Sequence, residues 1–226
     1  MKRIGICAIT APGAIMCYQA IIEHVNSSEL LDNPEIVIFQ ANLTPFKKAW
    51  INQNTDLLTD LLIQDLRKLE SNNVDHIVIP SNTMHYVIDN VKESISTPIY
   101  SILDVTSEFI IKNNYENVLF LGTKWTLEGG LYDKLAKSYG YRITYPSSED
   151  INIINKFIEN ELVYFDNLEE VENKLLMIVE KYKDSCDAIA LACTELPLVI
   201  KEENSPLPII DTTKLLGAYM ADKTIT

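Results

Sequence analysis

The chain has 226 residues, is 47% hydrophobic and 23% charged, and carries a formal net charge of −13. That mix suits a globular protein with a sizeable core. The acidic balance, with no cluster of Lys and Arg, argues against a nucleic-acid partner and against attraction to an anionic membrane, but leaves room for an anionic small molecule at a locally positive site.

In chain order, residues 2–8 read as a short buried strand. Pro12 then opens an apolar-periodic helix running to His24. A second strand covers 36–39, after Asn33-Pro34. Residues 44–54 are polar and irregular and read as a loop with a helical turn. Helix 56–70 repeats Leu and Ile at helical spacing. The apolar strand 76–79 is stopped by Pro80-Ser81-Asn82-Thr83, a short helix continues to Val91, and a brief strand follows Thr97-Pro98. The pattern then restarts with helix 104–112, strand 118–121 ending in Gly122-Thr123, helix 125–139 with a weak point at Gly129-Gly130, and strand 141–145. Helices 150–163 and 167–183 precede strand 188–192, which stops at Cys193-Thr194-Glu195. A last strand, 208–210, and a closing helix, 212–221, complete the chain. Short apolar strands alternating with helices predict an α/β fold with parallel sheets covered on both faces.

Two strands end alike, one in Ser81-Asn82-Thr83 and one in Cys193-Thr194-Glu195, with Ser81 and Cys193 112 positions apart. This suggests an internal repeat of two pseudo-symmetric lobes, each with a small reactive residue at the carboxyl end of a strand, where open α/β sheets bind ligands. The lobes are expected at 1–98 plus 212–226 and at 99–211.

The four cysteines, Cys7, Cys17, Cys186 and Cys193, match neither zinc spacing nor a CxxC motif, and read as reduced thiols of a cytoplasmic protein. No signal peptide or membrane span is expected. The turn after 118–121 lacks P-loop spacing and no GxGxxG follows the first strand, so nucleotide binding is not indicated. Cys193 has two readings: a buried core cysteine, or a thiol whose pKa is lowered by a helix N-terminus that Thr194 and Glu195 cap. Ser81-Asn82-Thr83 is a turn and cap or part of a site, and His85 a satisfied histidine or a member of it. Thr123 and Thr126 cap a helix or bind a carboxylate.

Taken in order, Ile4-Gly5-Ile6 with Pro12 and Tyr18, Pro80-Ser81-Asn82-Thr83-Met84-His85, Gly122-Thr123-Lys124-Trp125-Thr126-Leu127 with Tyr132, residues 158–162, Ala192-Cys193-Thr194-Glu195-Leu196-Pro197 and Asp211-Thr212 resemble the aspartate/glutamate racemase family along nearly the whole chain. The resemblance implies two Rossmann-like (flavodoxin-like) lobes with the site in the cleft between them, a homodimer, and no pyridoxal phosphate, metal or other cofactor. It also implies an acidic amino acid as substrate, racemised by two thiols on opposite faces of the α-carbon. Carried over residue by residue, Cys193 is one catalytic thiol and Ser81 stands where the other is usual, so an asymmetric or slow enzyme is expected. Asn82, Thr83, Thr123, Thr126 and Thr194 would bind substrate, with His85 and Glu195 as polar support or aids to proton transfer. The glycine-rich loop after the first strand is replaced by Ala8-Ile9-Thr10-Ala11, which makes Thr10 a candidate contact. The usual Arg after the second strand is absent, and so is a basic residue after 161–162. Lys47 or Lys48 is left as the carboxylate binder, or both are surface charges. A single-cysteine decarboxylase and a weakly catalytic small-acid binding protein are the alternatives.

Overall fold

The computed structural model describes residues 2–27 and 33–225. It divides into two compact units, one of residues 1–102 with 213–226 and one of 103–212. The first unit holds β1 (Ile4–Ala8), α1 (Ala11–Ser27), β2 (Ile36–Gln40), α2 (Leu43–Ile51), α3 (Thr55–Glu70) and β3 (His76–Val78). A 3-10 turn, Thr83–Val87, then runs into α4 (Ile88–Lys92) and β4 (Ile99–Tyr100). Helix α5 (Ile102–Lys112) carries the chain into the second unit. There follow β5 (Asn117–Gly122), α6 (Lys124–Glu128), α7 (Asp133–Tyr139), β6 (Arg142–Thr144), α8 (Ser148–Asn160), a 3-10 turn Leu162–Tyr164, α9 (Leu168–Glu180) and β7 (Ala188–Ala192). A 3-10 turn Leu196–Leu198, β8 (Ile209–Asp211) and α10 (Thr212–Ile225) end the chain. No described helix is long and apolar enough to cross a membrane.

Each unit is built on a four-stranded parallel sheet, in the order β2-β1-β3-β4 in the first and β6-β5-β7-β8 in the second. Strands β1, β3 and β7 are buried at every residue, as strands covered on both faces must be. The repeat seen in the sequence is structural. Asp75 accepts the Arg3 N–H at 2.7 Å just before β3, and Asp187 accepts the Glu116 and Asn117 N–H groups at 2.8 Å just before β7. The Ile77 N–H reaches the Pro98 carbonyl and the Ile189 N–H the Pro208 carbonyl, both at 2.9 Å. Asp75 and Asp187, Ile77 and Ile189, and Ser81 and Cys193 all keep the same separation in the chain.

The cores follow from periodicity. In α3, Leu58, Leu62, Leu66 and Leu69 fall on one face and are buried under the first sheet with Phe46, Ile77 and Ile79. In the second unit Ile154, Ile158, Leu175 and Val179 close over Leu119, Ile189 and Leu191. Each such side chain contributes about 1.5–3 kcal/mol through removal from water.

Two expectations are corrected. Residues 44–54 contain a nine-residue helix, α2, rather than a loop. The Asn42 side chain caps it by accepting the Thr44 N–H at 3.2 Å, Pro45 fits the first turn where no N–H is needed, and Phe46 and Ala49 are its buried stripe. Pro45 and the polar residues around that stripe make the segment read as a loop. The helix expected over 125–139 is two helices, broken at Gly129-Gly130, where Gly130 takes φ +61°.

Candidate active site

In the first unit the carboxyl ends of neighbouring strands β1 and β3 deliver the turns that carry Thr10 and Ser81. Pro80 cannot extend the ladder, and the Ser81 N–H turns back to the Ile79 carbonyl at 2.7 Å. Ser81 and Thr83 are half-buried, while Asn82 and His85 are buried. Asn82 opens the 3-10 turn, but its side chain does not cap it. The His85 N–H bonds the Asn82 carbonyl at 3.0 Å, and its ring lies 2.9 Å from the Ser81 carbonyl through Nδ1. Thr10 is half-buried, and its carbonyl accepts the Ala14 N–H at the start of α1. Gln40, at the end of β2, holds the β1 turn through Nε2, which reaches the Ala8 carbonyl at 3.0 Å, that of Ala41 at 3.2 Å and that of Ile9 at 3.5 Å. A lone polar residue at a strand end gives no sequence signal for this role. Lys47 is half-buried and Lys48 exposed on α2, whose buried Phe46 and Ala49 share an apolar cluster with Ile79 and Met84.

In the second unit Gly122 and Ala192 are register partners on β5 and β7, so the turns beginning at Thr123 and Cys193 leave adjacent strands side by side. The approach is close: a Cβ on Gly122 would lie 2.9 Å from the Ala192 carbonyl oxygen. Thr123 caps α6, its Oγ1 accepting the Thr126 N–H at 3.2 Å and lying 3.0 Å from the Thr126 hydroxyl. Asn155, in the middle of α8, accepts the Lys124 N–H at 2.9 Å. Helix α8 therefore passes the carboxyl end of β5 and places Leu162 in the same apolar cluster as Cys193 and Leu196.

Cys193 is buried, and its thiol donates to Glu195 Oε2 at 3.0 Å. The Thr194 hydroxyl donates to the same oxygen at 3.0 Å. Both Thr194 and Glu195 are themselves buried. The expected thiolate-favouring helix start is corrected here. Only the 3-10 turn Leu196–Leu198 follows, too short for a useful dipole, and Glu195 makes no side-chain cap to it. Burial pushes the Cys193 thiol well above its ordinary pKa, and the Glu195 carboxylate adds to the rise. The resting sulfur holds its proton. Cys7 is buried in the first unit's sheet and is also shifted upward by burial, which marks it as a core residue. Among the described residues no group of three or more His, Cys, Asp or Glu side chains is placed to hold a metal ion.

The structure thus groups Ser81, Asn82, Thr83 and His85 in one turn of the first unit, and Thr123, Thr126, Cys193, Thr194 and Glu195 beyond the carboxyl ends of the adjacent inner strands β5 and β7 of the second. The profile of one protein family, described as Asp/Glu/Hydantoin racemase, matches residues 6–219. The chain is 26% identical over 193 residues to the broad specificity amino-acid racemase RacX of Bacillus subtilis (strain 168), covering 84% of this chain and 82% of that one. Its fold superposes on an aspartate racemase homologue from Pyrococcus horikoshii OT3 with a TM-score of 0.83, 28% identity and full coverage of both chains. It superposes on the Picrophilus torridus aspartate racemase with a TM-score of 0.82 and 20% identity, over 99% of this chain and 94% of that one.

Proposed function

The chain belongs to the Asp/Glu/Hydantoin racemase family, and we propose that it is an amino-acid racemase that inverts aspartate, glutamate or both by moving the α-proton through Cys193. One observation carries the reading. A buried thiol at the carboxyl end of a central strand donates its proton to a buried carboxylate 3.0 Å away.

In this reading Glu195 sets the protonation state of Cys193. Transfer of the thiol proton to Glu195 leaves the charge of the pair unchanged, so no second charge is buried. The thiolate then takes the α-proton, and the electron pair of the broken C–H bond spreads into the substrate carboxylate. Thr123, Thr126, Thr194, Asn82 and Thr83 are the proposed donors that stabilise that charge. Ser81 is the second relay group. Its hydroxyl is too weak an acid to give up a proton unaided, so it takes one from water as it gives one to the carbanion. Glu195 releases its proton to solvent as the cycle closes. Removal of the α-proton by Cys193 is then faster than inversion, which waits on Ser81. Lys47, Lys48 and Thr10 remain candidate contacts to substrate carboxylates, and a homodimer is part of the proposal.

The test is proton NMR of each enantiomer of aspartate and glutamate with the enzyme in deuterated water, followed by chiral analysis. Neutral amino acids belong in the same panel, because the Bacillus subtilis relative is named for broad specificity. The expected result is α-proton loss that outruns appearance of the D-isomer and is abolished by Cys193→Ala. Full activity in Cys193→Ala would refute the assignment. Absence of exchange on every amino acid would favour the decarboxylase or the binding protein.

A further inference from the structure

The tight turn after Ser81 leaves a carbonyl without its usual helical partner. In an α-helix the Ser81 carbonyl would accept the backbone N–H four residues on, that of His85. Here that N–H goes to Asn82, in the 3-10 pattern. The His85 ring takes its place, with Nδ1 2.9 Å from the Ser81 carbonyl. At the other end of the ring, Nε2 lies 3.3 Å from the backbone nitrogen of Ile102. Ile102 is the first residue of α5, so its N–H is one of those a helix start cannot satisfy internally. It is also the last residue of the first unit before the chain passes into the second. His85 is 3% exposed, so water is not a ready substitute at either end.

The chemistry of the two partners fixes the ring. A carbonyl can only accept, so Nδ1 carries the hydrogen, and a backbone N–H can only donate, so Nε2 is bare. With both nitrogens held by the main chain, His85 is not free to exchange protons with a substrate. We infer that His85 is a positioning residue, which in its neutral Nδ1–H form ties the Ser81 turn to the start of α5 and so fixes where the Ser81 hydroxyl can reach. The Ser81 N–H is already held by Ile79. With its carbonyl held as well, the main freedom left to Ser81 is rotation of its own side chain. The inference rests on the proposed role of that hydroxyl.

Two measurements test it. The first is histidine-selective 15N NMR of the unaltered protein near neutral pH. The chain has three histidines, so the His85 ring is assigned by its loss in His85→Asn. The expected pattern is a neutral Nδ1–H ring, and an Nε2–H ring or an imidazolium would overturn the inference whether or not any variant folds. The second compares His85→Ala and His85→Asn in the wild-type and Ser81→Ala backgrounds. In the wild-type background His85→Ala is expected to slow inversion by about tenfold or more with KM little changed. His85→Asn, which keeps a donor for the Ser81 carbonyl, should recover part of that loss. In the Ser81→Ala background loss of the ring should cost nothing further, and an equal cost there would make His85 merely structural and overturn the inference. If the unaltered protein exchanges no α-proton, the proposed function fails, while the ring's tautomer still decides whether the clamp exists.

Discussion

Replacing Glu195 by Gln separates what the carboxylate does to the thiol from what it does for turnover. The amide is nearly isosteric, so packing around Cys193 is little disturbed. The negative charge 3.0 Å from Sγ disappears. Two unit charges at that distance repel by about 5.5 kcal/mol at an effective dielectric near 20, which is the ceiling on the thiolate's gain. Burial is the larger cause of the raised thiol pKa and persists in the variant. Even about 1.4 kcal/mol of that ceiling gives about tenfold more thiolate at fixed pH. Alkylation of Cys193 by iodoacetamide, followed by peptide mass spectrometry, should therefore accelerate by about tenfold or more, with buried Cys7, Cys17 and Cys186 as internal controls. Turnover should move the other way, falling by about 10²–10⁴ with loss of the proton acceptor. Faster alkylation with slower turnover is the expected signature. A variant in which both slow together, or in which turnover survives, would refute the view that Glu195 takes the Cys193 proton.

Ser81→Cys replaces a weak acid with a competent one and should raise the inversion rate by about tenfold or more while KM holds, read by chiral chromatography. Gly122→Ala should destabilise the protein by about 1–3 kcal/mol, because its Cβ would meet the Ala192 carbonyl at 2.9 Å and two strands must part; urea unfolding measures it, and an unchanged midpoint would mean the strands give way freely. His76 is buried, and its Nε2 finds no partner among the described residues. Burial, helped by Lys2, lowers its pKa, so the folded state resists the proton that the unfolded chain accepts at about pH 6.5. Stability from this group is thus present above that pH and lost as pH falls from it toward the lower folded value, and His76→Leu should flatten that slope in urea midpoints taken across the range. The Asp187 carboxylate, held below its ordinary pKa by the Asn117 and Glu116 N–H groups, should contribute stability above about pH 3.9 that is lost as pH falls through its lower folded value; Asp187→Ala should be destabilised near neutral pH and match the wild type in acid.

The amino-acid sequence determined the parts that depend on local pattern. Apolar runs bounded by Pro, Gly and small polar residues place the strands, and the alternation of strands with helices is enough for the α/β class. The shared ending of β3 and β7 is enough to place Ser81 and Cys193 at equivalent positions. Helix α2 escaped because Pro45, the Lys47-Lys48 pair and the polar residues after Ile51 read as a loop, although Phe46 and Ala49 give it a buried stripe. The state of Cys193 escaped for a different reason. A strand followed by Thr-Glu reads as a helix start that acidifies a thiol, but only the fold decides that the helix is one 3-10 turn, that the sulfur is buried and that Glu195 turns back onto it. The links from Gln40 to Ala8, from Asn155 to Lys124 and from His85 to Ile102 join residues 17 to 32 positions apart. No spacing rule announces them, because hydrogen bonds at that range exist only once packing has brought the two ends together.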